Sequence, residues 1–263
     1  MTPGEAELVA LASRLARAAG DVLRQRPDDL EVASKSSPTD AVTVMDRAAE
    51  RVILEGLATA RPGDAVVSEE SPRREGDSGV TWFVDPLDGT VNYLYDLGQY
   101  AVSIGVAVDG EPLAGVVFDV GRSVEYAAVR GDGATCDGRP IRCSTQSKPA
   151  MALVATGFNY DRQLRASQAQ AIGRLLPDVR DIRRMGSAAL DLCAVAAGRV
   201  DAFFEAGMAP WDWTAGAVIA REAGARVGGL RGRPPGGHTT LAANPALFDA
   251  LEELLVATGS DLG

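Results

Sequence analysis

The chain has 263 residues, of which 46% are hydrophobic and 24% are charged, and its formal net charge is −10. This composition is typical of a globular protein, and the negative charge argues against nucleic acid or an anionic membrane as a partner. An anionic substrate would also be repelled, unless a bound metal ion inverted the local field.

The side chains available for catalysis narrow the possible chemistry. His238 is the single histidine and lies in a Pro/Gly-rich segment, so any serine–histidine or cysteine–histidine mechanism would depend on it alone. Three cysteines without a C-x-x-C pair are typical of reduced thiols, and no signal peptide is recognisable, so we expect a cytoplasmic protein. Carboxylates are abundant, and they favour hard cations such as Mg²⁺.

Apolar periodicity predicts two helices in the first part of the chain. Residues 8–22 repeat at three- and four-residue steps before Pro27, and residues 45–57 repeat in the same way before Pro62. A meander of β-type runs follows, at 65–67, 80–84, 101–108, 112–118, 124–129 and 140–143. We expect the last two runs to pair with each other across glycine-rich turns.

Beyond residue 150 the predicted elements alternate. Strands are expected at 152–156, 200–204 and 225–227, and helices at 161–176, 188–197, 212–223 and 245–257. A meander followed by such alternation predicts a layered α/β protein with two sheets. We expect one domain over residues 1–263, in which an α+β half (1–148) holds the larger sheet and an α/β half (149–263) follows.

Acidic residues gather at the ends of four apolar elements. The four clusters are Asp40 with Asp46, Glu69 with Glu70, Asp85 with Asp88, and Asp212. The third cluster directly follows the apolar run 80–84 and is predicted to be a loop. Because buried acids are costly unless they are paired or ligate a metal, the combination favours a metal site.

Each cluster alone also fits a purely structural role. Asp212 would cap its helix, Asp46 would lie on a helix surface, and Glu69 with its neighbour would be solvated loop charge. Asp85 and Asp88 would belong to a turn closed by an aspartate side chain, although two acids after a buried strand fit that role less well.

Two longer motifs carry a family resemblance. Asp85-Pro-Leu-Asp-Gly-Thr-Val-Asn and Trp211-Asp-Trp-Thr-Ala-Gly follow Asp-Ala-Val-Thr-Val-Met-Asp and Ser-Glu-Glu-Ser in the chain. In sequence, order and spacing they resemble the signature of the inositol monophosphatase family, and the resemblance covers nearly the whole chain. The departures are mild: Leu87 replaces an isoleucine, Ser68 a glycine and Val91 a threonine, and Trp213 is unusually bulky.

The resemblance implies a Mg²⁺-dependent phosphatase with a layered αβαβα fold and two mixed sheets. It implies two to three ions. One is held by Glu69, Asp85 and the carbonyl of Leu87, and a second by Asp85, Asp88 and Asp212. A third, weaker ion near Glu69 would be linked through waters to Glu70 and Asp46.

The resemblance also assigns the remaining roles. Thr90 would orient the attacking water with Asp46 polarising it, and the N–H groups of Gly89 and Thr90 would bind phosphate. The expected substrate contacts also include Ser187, Ala188, Glu205 and Asp212. Lys35 would balance the acidic cluster, or it would be a solvated surface lysine.

The expected activity is hydrolysis of inositol monophosphate to myo-inositol and phosphate by a homodimer. Two alternatives remain open. The same chemistry could act on histidinol phosphate, fructose 1,6-bisphosphate or 3′-phosphoadenosine 5′-phosphate. The chain could instead be a regulatory binding protein with this fold.

Overall fold

The computed structural model describes residues 3–261. Over this range the chain forms seven α-helices: α1 (Pro3–Arg24), α2 (Val44–Ala60), α3 (Thr90–Leu94), α4 (Arg162–Leu175), α5 (Ala188–Ala196), α6 (Pro210–Glu222) and α7 (Pro245–Thr258). None of these helices combines the length and hydropathy needed to cross a bilayer.

Fourteen strands lie within the same range. They are β1 (Ala33–Ser34), β2 (Ala41–Val42), β3 (Ala65–Ser68), β4 (Val80–Asp88), β5 (Ala101–Val108), β6 (Glu111–Asp119), β7 (Val124–Val129), β8 (Gly133–Cys136), β9 (Arg139–Pro140), β10 (Leu153–Thr156), β11 (Asp181–Arg183), β12 (Ala202–Glu205), β13 (Arg226–Gly229) and β14 (Thr240–Ala243). Strands β1 and β2 form a separate antiparallel ribbon.

The larger sheet has the strand order β3-β4-β5-β6-β7-β8-β9. Strand β3 runs parallel to β4 and the remaining neighbours are antiparallel, so the sheet is mixed. Asp109 and Gly110 make the tight turn from β5 to β6 with φ values of 51° and 84°. An Asp-Gly pair is suited to that turn, because both of its central residues need positive φ.

The smaller sheet has the order β11-β10-β12-β14-β13. Strand β10 is parallel to both of its neighbours, whereas β14 is antiparallel to both of its own, so this sheet is mixed as well. The parallel strands are joined through helices, as such connections require.

Three buried apolar clusters hold together the five layers of helices and sheets. The first, around Trp82, packs α1 and α2 on one face of the larger sheet. The second, around Leu192 and Phe203, places α5 and α6 between the two sheets. The third, around Leu175 and Phe248, packs α4 and α7 on the far face of the smaller sheet. This order of layers confirms the expected αβαβα sandwich.

The Asp85–Asp88 motif differs from its prediction. Strand β4 continues through Asp88, so the motif is an irregular strand end and not a loop. Its pairing with β5 is interrupted between Asp85 and Asp88. Pro86 explains the interruption, because proline has no backbone N–H to donate to the neighbouring strand.

The expected pairing of 124–129 with 140–143 is wrong. Strand β7 pairs with β8, and β8 pairs with the two-residue β9. Strand β8 is four residues long and bounded by glycine turns, so its apolar content is too small to be noticed in the sequence. The sequence analysis also missed four short elements, each of two to five residues: the ribbon β1–β2, helix α3, and strands β11 and β14.

Candidate active site

A cavity of about 330 Å³ opens where β3 and β4 end. The acidic residues that line it are Asp40, Glu69, Asp85, Asp88, Glu205 and Asp212. Among the described residues, Arg184 is the one basic side chain of this lining. Members of all four acidic clusters therefore share one concave surface, whereas Asp46 and Glu70 lie beside it.

Two parallel strands carry three of these acids to the same edge. Glu69 directly follows β3, and its N–H donates to the Val84 carbonyl over 3.2 Å. Asp85 and Asp88 lie within the last four residues of β4. Carboxyl ends of parallel strands lie side by side, and in α/β sheets this is where ligands bind.

Asp85 and Asp88 each have one carboxylate oxygen that is held by hydrogen bonds from the protein. Asp85 Oδ1 accepts from the N–H of Leu87 at 3.0 Å. Asp88 Oδ2 accepts from Ser187 Oγ at 2.6 Å and from the N–H of Ala189 at 2.7 Å, both at the start of α5. The larger sheet is thereby bonded to the helix layer beneath the cavity.

Asp212 is held in a similar way at the start of α6. Its Oδ2 accepts from the N–H of Ala209 at 2.7 Å. It therefore makes the capping contact that the structural explanation requires, and it also lines the cavity. The two roles are compatible, because a helix N-terminus favours a negative charge.

The clustered acids raise one another's pKa. Burial raises the pKa of Asp85 well above its usual range, and the charges of Glu69, Asp88 and Asp212 raise it further. Burial raises the pKa of Asp88 to about 6, against the opposing hydrogen bond from Ser187. Burial and the charges of Glu69 and Asp88 likewise raise the pKa of Asp212. A divalent cation would relieve this repulsion.

Lys35 brings a positive charge to this group. Its Nζ lies 2.7 Å from Glu69 Oε1 and also bonds Glu70 Oε1. Burial lowers the pKa of Lys35, but the two glutamates outweigh that effect and hold it above its usual value. Burial raises the pKa of Glu70 to about 7 despite the lysine. Of the two expectations for Lys35, charge balance is the one that these contacts favour.

The donor chemistry suits a hard cation. Within residues 3–261, no set of three or more His, Cys, Asp or Glu residues is arranged to hold a metal ion. Lys35 and backbone donors satisfy the carboxylates instead. The four buried or half-buried carboxylates and the nearby Leu87 carbonyl are nevertheless the oxygen ligands that Mg²⁺ prefers. Their excess of negative charge fits that ion.

Thr90 and Asp46 are in direct contact. Thr90 Oγ1 lies 2.9 Å from Asp46 Oδ1 and 3.1 Å from the carbonyl of Leu87. Asp46 Oδ2 accepts from Thr43, both from its N–H at 2.8 Å and from its Oγ1 at 2.6 Å, in a capping box that starts α2. Asp46 is fully buried, so it is not the surface residue that the structural explanation supposes.

Gly89 is required between Asp88 and Thr90. Its φ is 95°, and a Cβ there would lie 2.9 Å from the carbonyl oxygen of Gln99 and 3.1 Å from that of Gly186. Any larger residue would therefore clash with two backbone segments. Gly89 and Thr90 both line the cavity at the start of the short helix α3.

Two of the residues expected to contact a polyol also line the cavity. Glu205 ends β12 and Ala188 begins α5, and both line the cavity. Ser187 lies behind this surface, where it bonds Asp88 and caps α5. Burial and the charge of Asp88 raise the pKa of Glu205 to about 7, and Arg184 opposes them.

Sequence reasoning missed three residues around the site. Tyr160 and Arg184 line the cavity but lie outside the motifs that carried the prediction. Glu50 lies behind the Glu69–Glu70 segment and accepts hydrogen bonds from it. The two serines of Ser-Glu-Glu-Ser were the available signal for Glu50, because buried hydroxyl groups need partners.

Comparison with known proteins decides the family. The model described as "Inositol monophosphatase family" matches residues 5–260. The chain belongs to the inositol monophosphatase family. Membership supports a phosphatase, and members of the family are generally metal-dependent.

Individual relatives cover nearly the full length. Inositol-1-monophosphatase SuhB of Mycobacterium tuberculosis is 45% identical over 245 residues, which are 90% of this chain and 84% of that protein. The solved structure of Mycobacterium tuberculosis SuhB has 42% identity and a TM-score of 0.83, and the match covers 96% of this chain and 97% of that one.

Two further relatives bear on function. Nus factor SuhB of Escherichia coli is 40% identical over 252 residues, which are 92% of each protein. The staphylococcal SaIMPase-II, solved with inositol monophosphate bound, has 28% identity and a TM-score of 0.78, with 97% of this chain and 93% of that one covered. Relatives of this chain thus include proteins named inositol monophosphatase and one named Nus factor.

Proposed function

We propose that this protein is a Mg²⁺-dependent phosphomonoesterase that hydrolyses inositol monophosphate to myo-inositol and phosphate. The observation that carries the proposal is the convergence of Glu69, Asp85, Asp88 and Asp212 on one cavity beside the Thr90–Asp46 contact. Each member of this set suits phosphoryl transfer, which depends on positioning and charge stabilisation more than on covalent chemistry.

We assign the cation to two groups of oxygen ligands, for two to three ions in all. Glu69, Asp85 and the Leu87 carbonyl would hold one ion, and Asp85, Asp88 and Asp212 a second. When bound, Mg²⁺ supplies Lewis-acid chemistry that makes water a stronger nucleophile and stabilises the leaving oxygen. Glu70 and Asp46 would hold waters of a weaker third ion near Glu69.

Thr90 and Asp46 orient the nucleophile in this proposal. Asp46 Oδ1 is placed to accept the Thr90 hydroxyl hydrogen, so the hydroxyl oxygen is left to accept a hydrogen bond from water. Thr43 holds the other oxygen of Asp46, which fixes the direction of this pair. The N–H groups of Gly89 and Thr90 would bind the phosphate oxygens.

Glu205 selects the leaving group in this proposal. Its carboxylate lies in the cavity lining, where it can accept hydrogen bonds from ring hydroxyls. Ala188 and Asp212 complete the surface against which a polyol would rest. Ser187 contributes by holding Asp88.

Phosphate release from inositol 1-phosphate tests the proposal. Full-length protein with Mg²⁺ should release phosphate, and chelation should abolish the release. Asp88→Asn should lower the rate at least ~10²-fold, since changes outside the ligand shell alone cost 10–100-fold. The matched control is Asp249→Asn, an exposed acid paired with Arg226 on the surface, which should keep full activity. An undiminished Asp88→Asn rate would refute the proposal.

Histidinol phosphate, fructose 1,6-bisphosphate and 3′-phosphoadenosine 5′-phosphate remain alternative substrates. Glu205 suits an ammonium group as well as a hydroxyl group, so it does not exclude histidinol phosphate. Rates measured side by side at equal concentration separate these cases. Glu205→Gln should discriminate further, because an ammonium substrate depends on the charge of that residue more strongly than a hydroxyl substrate does.

A regulatory binding role is a second candidate function. The observation in its favour is the 40% identity to the Escherichia coli protein named Nus factor SuhB. The net charge of −10 favours a protein partner over direct contact with nucleic acid. Rescue of a deletion phenotype by the Asp88→Asn variant, with a stoichiometric partner recovered, would establish this role beside or instead of catalysis.

We also propose a cytoplasmic homodimer. Tyr95 and Leu97 support it, because they are 72% and 65% exposed on one short segment, where apolar side chains of this size favour contact with another chain. Light scattering during gel filtration should give twice the monomer mass of 27.4 kDa.

A further inference from the structure

Glu50 is a buried carboxylate with three donors, all from one segment. It lies in α2 and is 4% exposed. Oε1 accepts from Ser68 Oγ and from the N–H of Glu70 at 3.1 Å, and Oε2 accepts from Ser71 Oγ at 2.5 Å. The segment 68–71 is therefore bonded to α2 on both sides of Glu69.

These hydrogen bonds account for the burial of a charge. Within residues 3–261 no lysine or arginine forms an ion pair with Glu50, so its donors are the hydroxyl and amide groups of this segment. A buried acid is costly without partners, and hydrogen bonds to a charged group are roughly twice as strong as neutral ones. The segment and the helix are accordingly held in one arrangement.

The same segment carries two residues of the acidic cavity. Glu69 lies on its cavity side, and Lys35 bonds both Glu69 and Glu70 there. Glu50 holds the segment from behind, and it is absent from the cavity lining. Its carboxylate therefore sets the backbone position from which Glu69 and Glu70 point, without touching substrate.

We propose that Glu50 is a positioning residue that sets the affinity of the cavity for its divalent cation. Ser68 and Ser71, which donate to Glu50, act with it by orienting the segment 68–71. Glu69 and Glu70, which lie between these serines, supply the negative charge. The inference rests on the proposed function only for the identity of the ion as Mg²⁺.

Calorimetric titration of the full-length protein with Mg²⁺ alone, without substrate, tests this inference. Glu50→Ala should weaken Mg²⁺ binding about 10–100-fold, as loss of a residue that orients a ligand does. Glu50→Gln keeps the shape and one acceptor oxygen, so it should restore part of the affinity. Ser71→Ala removes one donor and should weaken binding by a smaller factor.

Asp64→Asn is the matched control. Asp64 is also a buried acid with three side-chain donors, Arg61, Ser78 and Trp82, but it lies at the opposite end of β3 and β4. This variant should lower the melting temperature and leave the Kd for Mg²⁺ unchanged. A purely structural role for Glu50 predicts that its variants behave in the same way.

Each result decides the matter. Wild-type affinity in Glu50→Gln and Ser71→Ala overturns the inference, and so does the absence of Mg²⁺ binding by the unaltered protein. If Glu50→Ala does not fold, Glu50→Gln and Ser71→Ala carry the test. If the unaltered protein binds Mg²⁺ but hydrolyses no phosphate ester, the proposed function fails while the role of Glu50 stands.

Discussion

The two ends of the β3–β4 strand pair treat carboxylates in opposite ways. At the starting end, Asp64 accepts from Arg61 Nε at 2.7 Å, Ser78 Oγ at 2.6 Å and Trp82 Nε1 at 2.8 Å. Burial raises the pKa of Asp64, but these donors outweigh it and hold it below its usual value. At the finishing end, burial and neighbouring acids raise the pKa of Asp85.

The comparison separates stability from function within one pair of strands. A carboxylate surrounded by donors stabilises the fold, because its charged form has its partners in place. Carboxylates that face one another destabilise the fold until a cation arrives, and such perturbed groups mark functional sites. The following changes test whether the two ends differ in this way.

Asp85→Asn should have the largest effect. It removes the acid shared by both proposed ions, so phosphate release should fall at least ~10²-fold. The metal-free variant should be as stable as the unaltered protein or more stable, because a buried like-charge contact is lost. Activity assays and thermal unfolding in chelator measure the two effects. A large loss of metal-free stability would contradict the comparison.

Asp64→Asn should show the reverse pattern. Losing the charged acceptor of three donors, of which Trp82 is fully buried, should cost about 2 kcal/mol of unfolding free energy. For a chain of this size that corresponds to a melting temperature lower by roughly 4–8 °C. The kcat of the folded fraction should stay unchanged, and a drop in kcat would show that the two ends are coupled.

Two serines offer a smaller and matched pair of changes. Ser78→Ala removes one donor to Asp64 and should cost about 1 kcal/mol of stability with normal activity. Ser187→Ala removes one donor to Asp88 and should lower activity roughly 10-fold. Denaturant titration and phosphate release, measured on both variants, give the comparison. Equal effects of the two variants on stability and on activity would contradict it.

The pH dependence of metal-free stability should reflect both the raised pKa values of the cavity acids and the lowered pKa of Asp64. Folded Asp88 has a pKa of about 6 and folded Glu205 of about 7, above the ~4 of unfolded acids. The folded state thus binds more protons across this window, so stability falls as pH rises through it. Asp64 has a lowered pKa, so its contribution is lost as pH falls below about 4.

Thermal unfolding in chelator, from about pH 3 to about pH 8, should therefore show a maximum near pH 4, where the unfolded acids ionise. Added Mg²⁺ should raise the melting temperature most at the high end of this range, because protons and the cation compete for the same carboxylates. A metal-free melting temperature that keeps rising up to pH 7 would contradict the raised pKa values.

Long periodic segments and strand-end acids were readable from the sequence. The limits of β7 at 124–129 and of β5 at 101–108 were predicted as they are observed. Strands β8 and β14 are only four residues long, which is too short for a repeating pattern to show. The extension of β4 through Pro86 was hidden because a proline normally ends regular pairing.

The residues of the site divide along similar lines. Asp85, Asp88 and Asp212 were found because motifs mark them, and the structure brings them to one cavity. Glu50 was missed because it stands 18 positions before Ser68 on a helix, where an acid ordinarily indicates solvent. Its partners become visible only once α2 is packed against the larger sheet.

The hydrogen bonds that Asp88 accepts from Ser187 and Ala189 join residues 1–148 to residues 149–263, and they support our proposal that these halves act as one unit. The position of Asp88 therefore depends on how the helix layer containing α5 packs against the larger sheet. A Cβ at Gly216 of α6 would lie 2.7 Å from the Leu192 side chain of α5. A methyl group added at this buried position would displace α5, whose first residues hold Asp88. Substitutions of buried glycines should therefore impair catalysis, as substitutions of the acids do.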